Sequence, residues 1–380
     1  MLRPNPDETG SRYSALDSIR GLAAAAVVMY HCFLTLPEEV QQRISEAVYY
    51  TPLKLFVMGR PFVIVFFVLS GFVLTVSFNE MSNFSYRGFV VKRLCRIWLP
   101  YFVSILFSIA IFALIKPSVI PGLSDWVQLA WHGGVTTKIF LFHIFLSGTY
   151  AGTTLNGVNW SLVYELRISL IIPIMAWILI RFGWFWLAFA SAVISAICDF
   201  YIYYRLGIKT VMSPYTAETP IAALAMTGHF IIVFAIGIIL AKMTHVYRPR
   251  LAASKFYTQF AIVSLAIFLL MRHFDLSNAF GAGLLIALTI SVPWMAKILE
   301  SRIPKFLGKI SFSLYLMHLP ILMGLTHLLY GRVNQFIIIG LALVLSVGIA
   351  TTAYEAVERP AMQLGRNLSK QRTELRAVAT

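Results

Sequence analysis

The stretch Leu16-Asp-Ser-Ile-Arg-Gly-Leu-Ala-Ala-Ala-Ala-Val-Val-Met-Tyr-His31 decides the fold class, because it is apolar enough to lie in a bilayer and yet carries ionisable side chains. Arg20 and His31 are eleven residues apart. That separation is about three helical turns, so both side chains fall on one helix face about 16 Å apart. An ionisable group at membrane depth is costly unless it is paired or faces water. The stretch therefore predicts a polar track through a membrane span, and this track is a candidate site.

The composition is that of a protein that crosses a membrane many times. Hydrophobic residues make up 59% of the 380 residues and charged residues 12%, whereas about a quarter of a soluble chain is charged. The net charge of +15 does not indicate nucleic acid, because the basic residues cluster in short segments between apolar runs. The cysteines lack metal-binding spacing. We therefore expect neither a nucleic-acid partner nor a metal site.

Apolar windows of sufficient length predict an all-α bundle of about ten transmembrane helices. The windows are 15–37, 55–79, 95–116, 159–181, 183–204, 220–241, 256–274, 277–296, 310–330 and 335–356. Basic loops at 80–96 and 242–255 and a basic tail predict the cytoplasmic side. The number of crossings between these two loops must be even. We therefore expect the segment near 117–158 to stay outside or to re-enter and return, and both termini to be cytoplasmic.

The chain is expected to form one domain, since neither an internal repeat nor a low-complexity linker is visible in the sequence. Residues 1–362 are predicted to be a single transmembrane domain, and residues 363–380 a polar cytoplasmic tail, either a frayed helix or disordered. Asp17 and Arg20 interrupt the apolar core of the N-terminal segment. No small-residue cleavage site follows His31, so we expect this segment to be retained as the first span.

The polar residues of the first span have simple structural explanations when each is taken alone. Asp17 lies one turn before Arg20, so the two side chains can pair and lower each other's cost. Arg20 alone is also explained as an anchor at the membrane surface, and His31 as a side chain that hydrogen-bonds two helices. Three further polar clusters favour a shared site instead.

The second cluster lies where the chain enters the third predicted span. Arg93-Leu-Cys-Arg96 places two guanidinium groups one turn apart. Guanidinium forks suit phosphate oxygens, although basic residues are common at the cytoplasmic ends of spans in any case. A phosphate-rich cytosolic ligand such as coenzyme A or a nucleotide is the sharper hypothesis.

The third cluster, Asn159-Trp-Ser-Leu-Val-Tyr-Glu165, opens the fourth predicted span from the outer side. Glu165 is therefore expected at about the same depth as His31. A carboxylate near an imidazole can fix its tautomer and raise its basicity, which a general base needs. Glu165 thus joins His31 and Arg20 as a candidate catalytic residue.

The fourth cluster places Ser311, Tyr315 and His318 along the ninth predicted span, with Tyr315 and His318 one turn apart. Such groups more often join helices than catalyse a reaction. The sequence contains no glycine loop of an ATPase and no nucleophile elbow of a hydrolase. These patterns leave the fourth cluster as a set of polar site candidates without assigned roles.

In this order, the clusters resemble acyltransferase family 3, a family of polytopic membrane enzymes that acylate hydroxyl groups of sugars, glycolipids and some macrolides. The resemblance covers roughly residues 14–362. The matching motifs are Leu16-Asp-Ser-Ile-Arg-Gly-Leu22 with His31, Phe66-Phe-Val-Leu-Ser-Gly-Phe72, Arg93-x-x-Arg96, Trp160-Ser-Leu-x-x-Glu165, Ser311-Phe-Ser-x-Tyr-Leu-x-His318 and Glu358-Arg-Pro360.

The resemblance implies transfer of an acyl group, acetyl in the common case, from acyl-CoA to a hydroxyl of an exopolysaccharide, a lipopolysaccharide O-antigen or another glycan. It implies that His31 is the catalytic base, that Arg20 is its companion, and that Arg93 and Arg96 bind acyl-CoA from the cytoplasm. It further implies a multi-pass protein of the bacterial inner membrane. The partners would be lipid, a carbohydrate or lipid-linked glycan acceptor, and glycan-assembly proteins.

Two other classes of function use the same residue types. A secondary transporter or exporter of a glycan or small anion would use the buried Arg, His and Glu for binding or proton coupling, but it predicts inverted repeats, and none is evident. A non-catalytic assembly partner would not need two arginines at a cytoplasmic mouth and a deeper histidine. We therefore favour an enzyme in which His31 is the base and Arg20, Tyr315 or His318 stabilises the oxyanion.

Overall fold

The computed structural model describes residues 6–79, 84–149, 153–206, 217 and 219–378, with only the backbone described for residues 6–13, 79, 205, 206 and 370–378. In chain order the α-helices are α1 (Pro6–Leu34), α2 (Glu38–Val48), α3 (Arg60–Asn79), α4 (Tyr86–Ile115), α5 (Asp125–Gln128), α6 (Thr137–Ile144), α7 (Asn159–Phe182), α8 (Trp184–Leu206), α9 (Pro220–His229), α10 (Ile231–Lys242), α11 (Thr244–Ala252), α12 (Phe256–Leu270), α13 (Asp275–Ser291), α14 (Pro293–Leu299), α15 (Arg302–Leu329), α16 (Gln335–Ala353) and α17 (Arg359–Val378). A 3₁₀ helix, Pro52–Val57, follows α2, and a π-helical turn, Tyr354–Glu358, precedes α17.

The predicted all-α, polytopic membrane fold is confirmed. Judged by helix length and composition, the described residues contain fewer candidate spans than the ten predicted from the sequence. Among the described residues seven spans qualify, with α9 and α10 counted together as one, or eight if α13 and α14, which are bent by 99°, form one broken span. The other two predicted windows hold α1 and α12. Helix α1 carries Asp17, Arg20 and His31, which reduce its hydropathy, and α12 has only 15 residues.

The segment expected not to cross the membrane, 117–158, contains only short helices in its described part. Helix α5 has 4 residues and α6 has 8, which is too short to span a bilayer. Trp98 Nε1 donates to the carbonyl of Ile144 at 2.8 Å, and Trp131 Nε1 donates to Ser108 Oγ at 2.9 Å. These bonds fasten the segment onto α4, so it covers part of the bundle.

Helices α1 and α15 meet without intervening side chains at one crossing point. A Cβ added at Gly21 would overlap the backbone of Gly308, and a Cβ added at Gly308 would lie 2.6 Å from the carbonyl oxygen of Asp17. Ten residues later in each helix, His31 and His318 are hydrogen-bonded to each other. The two helices therefore run in parallel, and the glycine contact sets their register at the histidine pair.

Substituting Gly21 by Ala should separate α1 from α15. Overpacking in a close contact costs about 1–3 kcal/mol, so we expect a lower thermal unfolding temperature in detergent and a weaker contact between the two histidines. Gly348→Ala is the matched control, because a Cβ at Gly348 in α16 would meet no atom within 4 Å. Equal unfolding temperatures for the two variants would contradict the close α1–α15 contact.

The last helix, α17, crosses the predicted boundary between the transmembrane domain and the tail at residue 362. Its first half packs on α4, since a Cβ at Gly365 would lie 2.9 Å from Cys95 Cβ. Ser369 of α17 lies against Gly88 of α4. The chain therefore remains helical beyond residue 362, and the first part of the predicted tail belongs to the packed bundle.

Candidate functional site

Two cavities meet inside the bundle, and the first is rich in charge. It has a volume of about 760 Å³, and we call it the basic cavity. Its charged lining residues are five cations and three carboxylates: Arg20, Arg93, Arg96, Lys305, Lys309, Asp17, Glu165 and Glu358. The excess of cations favours an anionic ligand.

The second cavity is smaller and has an aromatic lining. It has a volume of about 340 Å³ and contains His31, and we call it the aromatic cavity. Its aromatic residues, besides the histidine, are Tyr30, Trp126, Trp131, Trp160 and Tyr315. Val63 and Tyr315 line both cavities. These two side chains therefore form the partition between the basic cavity and the aromatic cavity.

His31 is held by a second histidine that fixes its tautomer. His31 Nδ1 lies 2.7 Å from His318 Nε2, and His318 Nδ1 lies 3.0 Å from the carbonyl oxygen of Leu314. A carbonyl only accepts hydrogen bonds, so His318 Nδ1 carries a proton and the Nε2 of a neutral His318 is an acceptor. His31 must then donate from Nδ1. Its Nε2 keeps a lone pair, which is the atom that a general base needs.

The ring of His31 is also fixed by stacking. It stacks on Trp126 at a centroid distance of 5.3 Å, and its plane lies within 16° of the plane of its hydrogen-bonded neighbour His318. Trp126 belongs to α5, in the segment that folds over the bundle. The sequence contained no signal for this contact, because the segment around α5 is too short and irregular for its side-chain directions to be predicted.

The sequence left open whether Glu165 contacts His31, and the structure places the two residues in different cavities. Glu165 lines the basic cavity, and its Oε1 accepts a hydrogen bond from Ser70 Oγ at 3.0 Å. Depth along a predicted span cannot show which neighbouring helix a side chain faces, and Glu165 faces α3. The orienting group of His31 is the imidazole of His318, which comes from the fourth predicted cluster.

Of the two arginines of the second predicted cluster, Arg93 is deeply buried and Arg96 is exposed. Arg93 has a relative exposure of 6%, and its guanidinium lies 5.9 Å from the ring of Phe89. Within the described part of the chain it forms neither a hydrogen bond nor an ion pair. A buried cation without a carboxylate partner is costly, so this cavity is suited to a ligand that brings negative charge.

The other predicted residues of the basic cavity have partners of their own. Arg20 Nη1 and Asp17 Oδ1 are 2.8 Å apart, so the predicted salt bridge is confirmed. The Ser311 hydroxyl donates to the carbonyl of Gly308 at 3.0 Å, within its own helix. Ser311 therefore lines the cavity with its hydroxyl proton already engaged.

Tyr315 is tied to the start of α7 at the partition between the cavities. Its hydroxyl lies 2.7 Å from Ser161 Oγ and donates to the carbonyl of Val158 at 3.3 Å. Its ring packs edge-on against Phe66. The phenol is thereby fixed where a group that extends from one cavity into the other must pass it.

Sequence reasoning missed a buried polar cluster that supports the aromatic cavity from α6. His143 Nε2 accepts from the amide of Leu155 at 3.1 Å, and His143 Nδ1 lies 2.8 Å from the hydroxyl of Tyr101. Burial lowers the pKa of His143 to about 3, so its ring is neutral at physiological pH. His143 therefore anchors residues 153–157, which form part of the cavity wall. Its role was not predictable because the sequence around this single histidine shows no recognisable motif.

Comparison with known proteins identifies the family of the chain and one relative along nearly its whole length. A family model described as an acyltransferase domain matches residues 13–355. Nodulation protein 10 of Rhizobium leguminosarum bv. viciae is 22% identical over 387 residues, which cover 98% of this chain and 99% of that protein. No solved structure matches the chain. The family match covers the whole lining of the aromatic cavity and all of the basic cavity except its residues beyond 355, such as Glu358.

Proposed function

Since the chain belongs to acyltransferase family 3, we propose that this integral membrane protein moves an acyl group, acetyl above all, from acyl-CoA to a hydroxyl of a carbohydrate-type acceptor. The acceptor would be an exopolysaccharide, a lipopolysaccharide O-antigen, or another glycan or glycolipid. One observation carries the proposal: a histidine with an available Nε2 and a buried arginine that no described carboxylate contacts directly line two cavities that meet at Tyr315.

The basic cavity is the proposed site of the acyl donor. Coenzyme A carries several phosphate oxygens, which the guanidinium groups of Arg93 and Arg96 are suited to bind. Arg20 lies in the same cavity on α1, ten residues before the aromatic wall residue Tyr30. The pantetheine arm would extend past Arg20 toward Tyr315, which brings the thioester to the partition. The proposal requires acyl-CoA as a donor substrate and no metal.

The aromatic cavity is the proposed site of the acceptor hydroxyl. His31 Nε2 takes the hydroxyl proton, and the oxygen attacks the thioester carbonyl. The C–S bond breaks, and the thiolate of coenzyme A takes the proton back from His31, so the atoms and charges balance. Tyr315 is the candidate for stabilising the oxyanion because it lines both cavities, and its hydroxyl would have to turn from the carbonyl of Val158 to the oxyanion to do so.

The orientation of the protein follows from the same assignment. We propose that the basic cavity opens to the cytoplasm, where acyl-CoA is made, that both termini are cytoplasmic, and that the membrane is the bacterial inner membrane. Basic residues at the cavity mouth, such as Lys305, support this orientation through the positive-inside rule. Glycan-assembly proteins that present a lipid-linked acceptor are the partners this arrangement would require.

The proposed reaction can be measured with purified protein in lipid. The acceptor is cell-surface polysaccharide from a strain without the gene, treated with mild base to remove esters, and the donor is acetyl-CoA labelled in the acetyl group. We expect labelled ester on the polysaccharide and polysaccharide-dependent release of free coenzyme A. Movement of polysaccharide or anion across the membrane without any labelled ester would instead identify a transporter.

His318 should act through His31 rather than on the substrate. His318→Ala removes the acceptor for His31 Nδ1–H, so we expect kcat to fall about 10- to 100-fold, as for other partners that orient a histidine. His318→Gln keeps an acceptor oxygen and should retain more activity than His318→Ala. A harmless His318→Ala substitution would show that the tautomer of His31 does not depend on this bond.

A further inference from the structure

A network of four ionisable side chains, three of them buried and the fourth, Asp199, partly exposed, adjoins the aromatic cavity and is not used by the mechanism above. Arg60 Nε donates to Asp275 Oδ1 at 2.5 Å, and Arg60 Nη2 donates to Asp275 Oδ2. His229 lies between two carboxylates, 2.9 Å from Asp275 through Nε2 and 2.5 Å from Asp199 through Nδ1. These four side chains link α3, α13, α9 and α8.

Stability does not account for these residues. A buried ion pair commonly adds no stability over well-packed apolar residues of similar volume. Arg60 is the first residue of α3, where the partial positive charge of the helix terminus disfavours a cation. The relative exposures of Arg60 and Asp275 are 7% and 4%. Ionisable residues inside membrane segments mark sites in most proteins that retain them.

Arg60 is also placed where a substrate can reach it. Among the described residues that line the aromatic cavity, it is the only one with a formal charge. The remaining polar lining comes from hydroxyl and amide groups, including Thr153, Thr154 and Asn156. No carboxylate lines the described walls, so the cavity offers a cationic ligand no counterion. Its chemistry instead suits oxygen atoms that accept hydrogen bonds.

We propose that Arg60 binds an oxygen-bearing group of the acceptor, a carboxylate, a phosphate or a pair of neighbouring hydroxyls, and so orients the reacting hydroxyl toward His31. Asp275 is a positioning residue, because its carboxylate accepts from Nε and Nη2 of Arg60 and so fixes the plane of the guanidinium fork. His229 fixes Asp275 in turn. The inference rests on the proposed function in one respect, that the ligand of the aromatic cavity is a carbohydrate.

Binding of the polysaccharide, measured by titration calorimetry in the absence of acyl-CoA, tests this directly. The probe is the base-treated cell-surface polysaccharide described above. In Arg60→Gln/Asp275→Asn both charges are removed together, so no buried charge is left unpaired. Loss of hydrogen bonds to a charged donor should weaken polysaccharide binding about tenfold or more. The Kd for acetyl-CoA, whose site is the basic cavity, should stay within about twofold.

Further variants distinguish a loss of polysaccharide recognition from a folding defect and from a simple loss of positive charge. Arg181→Gln makes the same change at an exposed residue outside both cavities and should bind polysaccharide like the unaltered protein. Asp275→Asn alone should weaken polysaccharide binding but not acetyl-CoA binding, whereas a general structural defect would weaken both. Arg60→Lys keeps the charge. Near-normal binding by Arg60→Lys identifies an anionic group on the acceptor, and weak binding identifies recognition by the planar fork.

Two results would overturn the inference. The first is polysaccharide binding by Arg60→Gln/Asp275→Asn equal to that of the unaltered protein. The second is a lack of polysaccharide binding by the unaltered protein while it still binds acetyl-CoA. Arg60-dependent binding without any acetyl transfer would contradict the proposed function and leave the role of Arg60 supported.

Discussion

Replacing His31 by Ala should reduce acetyl transfer by about 10²- to 10⁴-fold, the range that a positioned general base contributes. The variant loses the Nε2 lone pair that faces the aromatic cavity, while the donor site around Arg93 is unchanged. Acetyl-CoA should therefore bind with its normal Kd, and the defect should lie in kcat. The measurement is the initial rate of ester formation on polysaccharide, with the Kd for acetyl-CoA determined in parallel.

His245→Ala is the matched control for this substitution, because His245 is an exposed histidine in α11 outside both cavities. It should transfer acetyl groups at the normal rate. Substantial transfer by a properly folded His31→Ala protein would remove His31 from the reaction. Loss of acetyl-CoA binding in the same variant would indicate that His31 belongs to the donor site instead.

Replacing Arg93 by Gln should weaken binding of the donor acetyl-CoA and leave binding of the acceptor polysaccharide unchanged. A hydrogen bond to a charged group contributes about 1.5–3 kcal/mol, so the Kd for acetyl-CoA should rise about 10- to 100-fold. Because Arg93 is buried without a carboxylate partner, its removal should not lower the thermal unfolding temperature. The two measurements together distinguish a ligand-binding arginine from a structural one.

The control for Arg93 lies in the same helix. Arg87 is exposed near the start of α4 and does not line the basic cavity, so Arg87→Gln should change the Kd for acetyl-CoA by less than about twofold, as a rim charge does. If both substitutions weakened acetyl-CoA binding equally, only the overall positive charge at this end of α4 would attract the donor. No weakening by Arg93→Gln would place the donor elsewhere.

The fold class followed from hydropathy because membrane spans are a local property of the chain. The runs that became α3, α7 and α16 are apolar over a length that fixes them as helices. The salt bridge between Asp17 and Arg20 was predictable for the same reason, since three residues along a helix bring side chains together.

The site itself depends on contacts that no local pattern encodes. His31 and His318 are separated by 287 residues, and Arg60 and Asp275 by 215. Each polar cluster was visible in the sequence on its own, but the partner of each side chain depends on which helices adjoin. This is why the sequence could give Glu165 and His31 a similar depth but not show that Glu165 pairs with Ser70, and why Arg60 was not identified.

We propose that acyl-CoA reaches Tyr315 and His31 through the basic cavity from the cytoplasm, and that the acceptor reaches them through the aromatic cavity from the other side. Proteoliposomes in which the protein has one known orientation test this proposal most directly, with labelled acetyl-CoA supplied only on the side of the basic cavity and polysaccharide only on the other side. The account predicts labelled ester on the polysaccharide, absent in His31→Ala. Ester formation only when both substrates share one side would contradict it.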